Sequence, residues 1–143
     1  MAIRVQCEAF DPWAEVAAHE TACAGRLTGP SGACAVFVGN MRDFNLGQAV
    51  AAMTLEHYPG MTEACLEKIS AEARRRWDLL ETLGVHRYGP LTPGEPIVLV
   101  AAWSAHREDA FAACRYLIDE LKTRAPFWKQ EQTGSGSRWV RPE

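Results

Sequence analysis

Thr82-Leu-Gly-Val-His-Arg-Tyr88 and Pro96-Ile-Val-Leu-Val-Ala-Ala-Trp103 stand on either side of the turn Pro93-Gly94. Both runs are rich in apolar and β-branched residues, and strands joined so closely pair as antiparallel neighbours. No helix-length segment separates them, so the connection is not the crossover that a doubly wound parallel sheet requires. Helical patterns lie on both sides of this pair, and the reading is therefore α+β: a mixed, mostly antiparallel sheet with packed helices.

Downstream, Glu108 to Arg124 carries Phe111, Cys114, Ile118 and Leu121 at helical spacing and stops before Pro126. Upstream, Pro59-Gly60 ends a strand, and Thr62 is placed to cap a helix with Glu63 in its first turn and Arg74, Arg75 and Arg76 in its last. The buried stripe expected there is Leu66, Ile69, Ala73 and Trp77. Ala33 to Val38 is a small, apolar run suited to a strand covered on both faces, and Ala49 to His57 reads as a strand that pairs with it as a hairpin. The segment from Phe44 to Gln48 between them has turn chemistry. At the N-terminus Ile3, Val5 and Cys7 alternate as a short strand does, and Asp11-Pro12 starts a helix running to about Cys23.

The 143 residues, 48% of them hydrophobic, suffice for one core and are too few for two, so residues 1–143 form a single domain. A charged fraction of 23% without low-complexity tracts argues against disorder, except over Gly134 to Glu143, where Gly134-Ser135-Gly136-Ser137 reads as a flexible loop. A net charge of -3 gives no support to nucleic-acid or anionic-membrane binding, so any anion site must be local. Neither a signal peptide nor a membrane-spanning run is visible, and the expected location is the cytoplasm. The five cysteines are an odd number, widely spaced, without a C-x-x-C pair or a close Cys/His cluster, which fits reduced and mostly buried thiols and no metal site.

Lys122-Thr-Arg-Ala-Pro-Phe-Trp-Lys129 is the densest chemical signal, three cations and two aromatics at a helix end and behind a proline. Lys122 follows Ile118 by one turn and so emerges at the margin of the buried stripe. Desolvation and neighbouring cations lower the pKa of an amine so placed and make it usable for proton transfer or nucleophilic attack, whereas cations at a helix C-terminus also serve simply to match the dipole. Ser104-Ala-His-Arg107 lies at a strand-to-helix junction, where backbone N–H groups suit a phosphate and His106 and Arg107 add donors; an ordinary connection accounts for them equally. Arg42 is an anion clamp or a surface cation.

In combination, Leu55-Glu-His-Tyr-Pro-Gly-Met-Thr62, Ser104-Ala-His-Arg107, Leu121-Lys-Thr-Arg-Ala-Pro-Phe-Trp-Lys129 and Arg138-Trp-Val140 strongly resemble the molybdopterin synthase catalytic (large) subunit family, in the family's order, from about Gly32 to Val140. The resemblance implies a hammerhead-like single domain and an enzyme that converts cyclic pyranopterin monophosphate into the molybdopterin dithiolene. It implies that sulfur arrives as a thiocarboxylate on the C-terminal Gly-Gly of a small ubiquitin-like subunit. It further implies a homodimer of large subunits at the centre of a heterotetramer, with no metal or organic cofactor.

By the same resemblance Lys122 and Lys129 match the family's catalytic lysines, and Asn40, Met41, Arg42, His106, Arg107, Gln130, Glu131 and Arg138 join them in the substrate set. Phe37 matches the channel for the partner's tail, and Arg138 is a candidate to come from the dimer mate. The family often has a second cation two residues before the matching arginine, where this chain has Asn40. Two rival readings remain on the residues alone: a non-catalytic module that senses a phosphorylated metabolite, and a cysteine-dependent enzyme.

Overall fold

A computed structural model describes residues 2–140 of the chain. Its first half comprises β1 (Ala2–Gln6), α1 (Pro12–Ala22), α2 (Ala24–Leu27), β2 (Ala33–Asn40), β3 (Phe44–Asn45), β4 (Gln48–His57) and α3 (Met61–Arg76). The second half comprises β5 (Leu79–Arg87), β6 (Gly89–Leu91), β7 (Pro96–Ser104), α4 (Arg107–Arg124), β8 (Phe127–Thr133) and β9 (Gly136–Val140). The architecture is α+β, as the interspersed pattern predicts.

The expected hairpin is β5 with β7, antiparallel, with Val85 opposite Leu99 and Leu83 opposite Ala101. β1 joins β5 in parallel and β2 joins β7 antiparallel, giving a sheet of order β1-β5-β7-β2. Helices cover both faces. Val98, Val100 and Ala102 meet Ala113, Leu117, Ile118 and Leu121 of α4 and Leu66 and Ile69 of α3, while Leu83, Val85, Leu99 and Trp103 meet Val16, Cys23 and Leu27 of α1 and its neighbours. A second sheet, of order β3-β4-β8-β9 with β6 also on β4, has its own small core of Met41, Val50, Met53, Leu55 and Leu91.

Several expectations are corrected. β2 pairs with β7 and not with β4. Ala35 packs toward α3 and α4 while Val36 and Val38 pack toward α1 and α2, so β2 belongs in the sheet covered on both sides; β4 buries Val50, Met53 and Leu55 and suits a sheet with one wet face. Phe44 and Asn45 form a short strand against β4 through a two-residue turn in which Leu46 (φ 51°) and Gly47 (φ 79°) are both left-handed, the geometry of a tight hairpin. α3 is capped at Gly60, whose N–H donates to the Glu63 carboxylate, and not at Thr62, whose buried hydroxyl accepts from the Tyr58 N–H. Phe111 is 67% exposed, because Ala110, Cys114, Leu117 and Leu121 set the stripe of α4 and Phe111 falls beside it. Gly134 and Ser135 form the turn of the β8–β9 hairpin, so the ordered chain continues through Val140; residues 141–143 lie outside the described residues.

All five cysteines are unpaired, Cys34 being exposed. Cys23, one helical turn after His19, stands 3.6 Å from its Nε2, and both approach the buried Glu81, a grouping that the linear spacing was expected not to give. The Arg26 guanidinium reaches both the Glu81 carboxylate (2.8 Å) and the Cys23 sulfur (3.2 Å) and supplies the compensating positive charge. No helix among the described residues is long and apolar enough to cross a membrane.

Candidate active site

Helix α4 turns directly into strand β8. The Ala125 N–H still donates to the Leu121 carbonyl, Pro126 has no N–H to continue the ladder, and Phe127 opens the strand. This sharp reversal sets Lys122, in the last turn of α4, across a cleft from Lys129 on β8. Along β8, Phe127, Lys129 and Glu131 line the cleft, while the alternate residues Trp128 and Gln130 do not. Arg124 faces away, its guanidinium on Glu72 at 2.6 Å; Tyr116 donates to the same carboxylate, which pins the end of α4 to α3.

The cleft has a volume of about 290 Å³. Its apolar walls come from Met53 and Leu55 of β4, Ile97 and Val98 of β7, and Ile118 and Leu121 of α4. Phe37 of β2 lies along one wall, and the chain beyond it supplies Asn40, Met41 and Arg42. Gly39 makes this approach workable, since a Cβ there would stand 2.8 Å from Val98 Cγ1 and 3.3 Å from the Phe37 ring. The register slips between Gly39 and Asn40, and this irregularity turns Asn40 to Arg42 over the opening. Lys122 and Arg42 are exposed and Lys129 half-buried, so the positive charge is concentrated from the mouth inward.

Among the described residues Glu131 is the one carboxylate on the wall, and it is buried. It accepts from Arg138 Nε (3.0 Å) on β9 and from Asn45 Nδ2 (3.0 Å) on β3, and Arg138 also donates to the Asn45 carbonyl (2.7 Å). The acid thus ties three strands together, and its charge is matched by Arg138.

His86 was not singled out by sequence reasoning, yet it lines the cleft. In β5 it follows the apolar stretch Leu83 to Val85, and nothing in the linear sequence marks it as a site residue. Its ring stacks on Phe127 at 3.7 Å, and Nδ1 lies 2.8 Å from the Arg87 carbonyl. Burial pushes its pKa down to about 4, and the charges of Lys129, Lys122 and His57 act in the same direction.

Of the residues singled out from the sequence, Phe37, Asn40, Met41, Arg42, Lys122, Lys129 and Glu131 converge on this cleft. Arg138 stands behind Glu131, and Gln130 lies on the opposite face of β8. His106 and Arg107 are exposed at the N-terminus of α4, sixteen and fifteen residues from Lys122 and so roughly 22–24 Å away along the helix. They do not reach the cleft of their own chain. None of the five cysteines lines it, which removes the footing of a cysteine nucleophile there.

Comparison with known proteins gives consistent results. A family model described as MoaE protein matches residues 8–124. The molybdopterin synthase catalytic subunit of Pseudomonas aeruginosa is 56% identical over 140 residues, 98% of this chain and 90% of that protein. Among solved structures, the molybdopterin biosynthesis MoaE protein from Burkholderia ambifaria superposes with a TM-score of 0.81 at 52% identity, covering 99% of this chain and 90% of that one. Molybdopterin synthase from Staphylococcus aureus gives a TM-score of 0.81 at 30% identity, covering 97% and 96%.

Proposed function

The chain belongs to the MoaE protein family, and on that premise we infer that it is the catalytic subunit of a molybdopterin synthase, moving sulfur from a partner's C-terminal thiocarboxylate to cyclic pyranopterin monophosphate. The observation that carries this reading is the convergence of Lys122 and Lys129, from the end of α4 and from β8, on one cleft with Arg42 at its mouth.

Both reactants are anions, a phosphate ester and a thiocarboxylate. Bringing them together requires fixed positive charge in a site with apolar walls, where charge acts more strongly than in water. Lys122 acts as the acid/base group or transient nucleophile while the carbon–sulfur bonds form. Lys129, less exposed and held by the strand, binds the substrate and stabilises developing charge. Arg42 draws in the phosphate, with Asn40 and Met41 beside it, and Phe37 flanks the path of the partner's tail. Arg138 shapes the substrate wall from behind, through its hold on Glu131, whereas Gln130 faces the other side of β8 and takes no part in the cleft.

His106 and Arg107 complete the anion site only when a second copy of the chain brings its α4 N-terminus to this mouth, which agrees with a homodimer at the centre of a heterotetramer. A small ubiquitin-like protein ending in Gly-Gly supplies the sulfur. The reading assigns no metal or organic cofactor and places the reaction in the cytoplasm, a compartment suited to five unpaired thiols.

The test is to mix the purified chain, the pterin precursor and the thiocarboxylated partner. Formation of the dithiolene supports the assignment. Binding of the pterin without any dithiolene supports instead a sensor of a phosphorylated metabolite.

A further inference from the structure

We propose that His86 is a specificity-determining residue, whose Nε2 accepts a hydrogen bond from a ring N–H of the bound heterocycle and so sets which end of the substrate enters the cleft first. This rests on the reading of the cleft as a pterin phosphate site.

A carbonyl oxygen can only accept, so the 2.8 Å contact between Nδ1 and the Arg87 carbonyl puts the imidazole proton on Nδ1. The ring is neutral, for the reasons of burial and nearby cations given above. Nε2 is therefore a bare lone pair, and among the described residues no hydrogen bond reaches it. The ring cannot turn to hide that lone pair. It is clamped face to face on Phe127 at 3.7 Å with 15° between planes, and Phe127 is followed in the stack by His57 (6.4 Å) and then Tyr88 against His57 (4.1 Å).

An acceptor-only nitrogen discriminates by sign. Phosphate oxygens are acceptors too and are repelled by it, whereas they are drawn to Arg42 at the opening. A reduced pterin carries several N–H donors on its rings. The two ends of the cleft thus select opposite ends of one molecule, with the heterocycle toward His86 and the phosphate toward the mouth.

Two substitutions separate this role from simple packing. His86→Phe keeps a flat ring for Phe127 and removes the acceptor, while His86→Gln keeps an acceptor oxygen near the Nε2 position and loses the stack. Calorimetry on the assembled complex, with partner lacking the thiocarboxylate so that nothing turns over, should show His86→Phe binding the pterin phosphate about tenfold more weakly or worse. His86→Gln should retain most of the affinity, and competition by inorganic phosphate should be alike in all three proteins. Wild-type affinity in His86→Phe, or an equal loss in His86→Gln, overturns the proposal.

A measurement on the unsubstituted protein guards against misfolded variants. With nitrogen-15 histidine, the Nε2 resonance of His86 should move toward the hydrogen-bonded position when the pterin phosphate is added, and an unmoved resonance in a saturated complex overturns the proposal as well. Failure of wild-type complex to bind the pterin phosphate at all would instead bring down the functional assignment on which it stands.

Discussion

Replacing Glu131 by alanine removes the acceptor of two hydrogen bonds of 3.0 Å, one from Arg138 and one from Asn45, and leaves Arg138 with the Asn45 carbonyl. The Arg138 side chain is 25% exposed and can take up water, so the loss should fall below the 3–5 kcal/mol typical of a broken buried pair, at about 2–3 kcal/mol. Arg138→Ala is the harsher change, because the Glu131 side chain is only 6% exposed and keeps a charge with Asn45 alone to answer it; about 3–5 kcal/mol is expected. The double variant should lose less than the two together, with a coupling of about 2 kcal/mol, since neither charge is then stranded. Urea denaturation at one fixed protein concentration measures this, and with a slope of about 2 kcal/mol per molar a 3 kcal/mol loss moves the midpoint by about 1.5 M. Additive effects, or a milder Arg138→Ala, would refute the claim that this pair braces β3, β8 and β9 around the cleft.

Three other outcomes follow from the same geometry. Lys129→Ala should weaken pterin binding by about tenfold to a hundredfold with turnover at saturation changed much less, as expected for loss of one charge-assisted hydrogen bond; a turnover defect at unchanged affinity would count against its role. Arg42→Ala should weaken binding of the pterin phosphate more than that of the dephosphorylated pterin in competition assays, and equal losses would deny it the phosphate. Glu72, bonded by Arg124 and Tyr116, and Glu95, bonded by Thr92 and Arg87, both have pKa values lowered from 4.5 to about 2. Carboxylates so lowered contribute stability above about 4.5 that is lost as pH falls toward 2, so the urea midpoint should decline across that window, and less steeply in Glu72→Gln.

The legible parts of this fold were those whose signals are local. The β5–β7 pair announced itself through the Pro93-Gly94 turn, and α1, α3 and α4 through proline, charge and apolar spacing that hold whatever the helices pack against. Strand partners were less legible. Ala33 to Val38 reads as a strand covered on both faces, but nothing in it names β7 rather than β4, because both pairings satisfy its hydrogen bonds. The β8–β9 hairpin was missed for a different reason: Phe127–Thr133 is largely polar, and the burial of Glu131 is satisfied by Asn45 and Arg138, 86 and 7 residues away.

The cleft shows the same division. Lys122 and Lys129 were visible because three cations and two aromatics crowd one helix end behind a proline, in a block that resembles the family's. His86 was invisible, since a histidine in a strand gains meaning only when Phe127, 41 residues on, stacks over it and the cleft forms beside it. His106 and Arg107 looked like members of one site and lie at the far end of α4, a separation that helix length dictates.

Sulfur transfer between α4 and β8 is tested most directly by single-turnover formation of dithiolene by Lys122→Ala, with thiocarboxylated partner and saturating pterin phosphate. The rate should fall about a hundredfold or more while the pterin remains bound, the scale of losing a positioned proton-transfer group. Dithiolene appearing at the wild-type rate would move the chemistry out of this cleft.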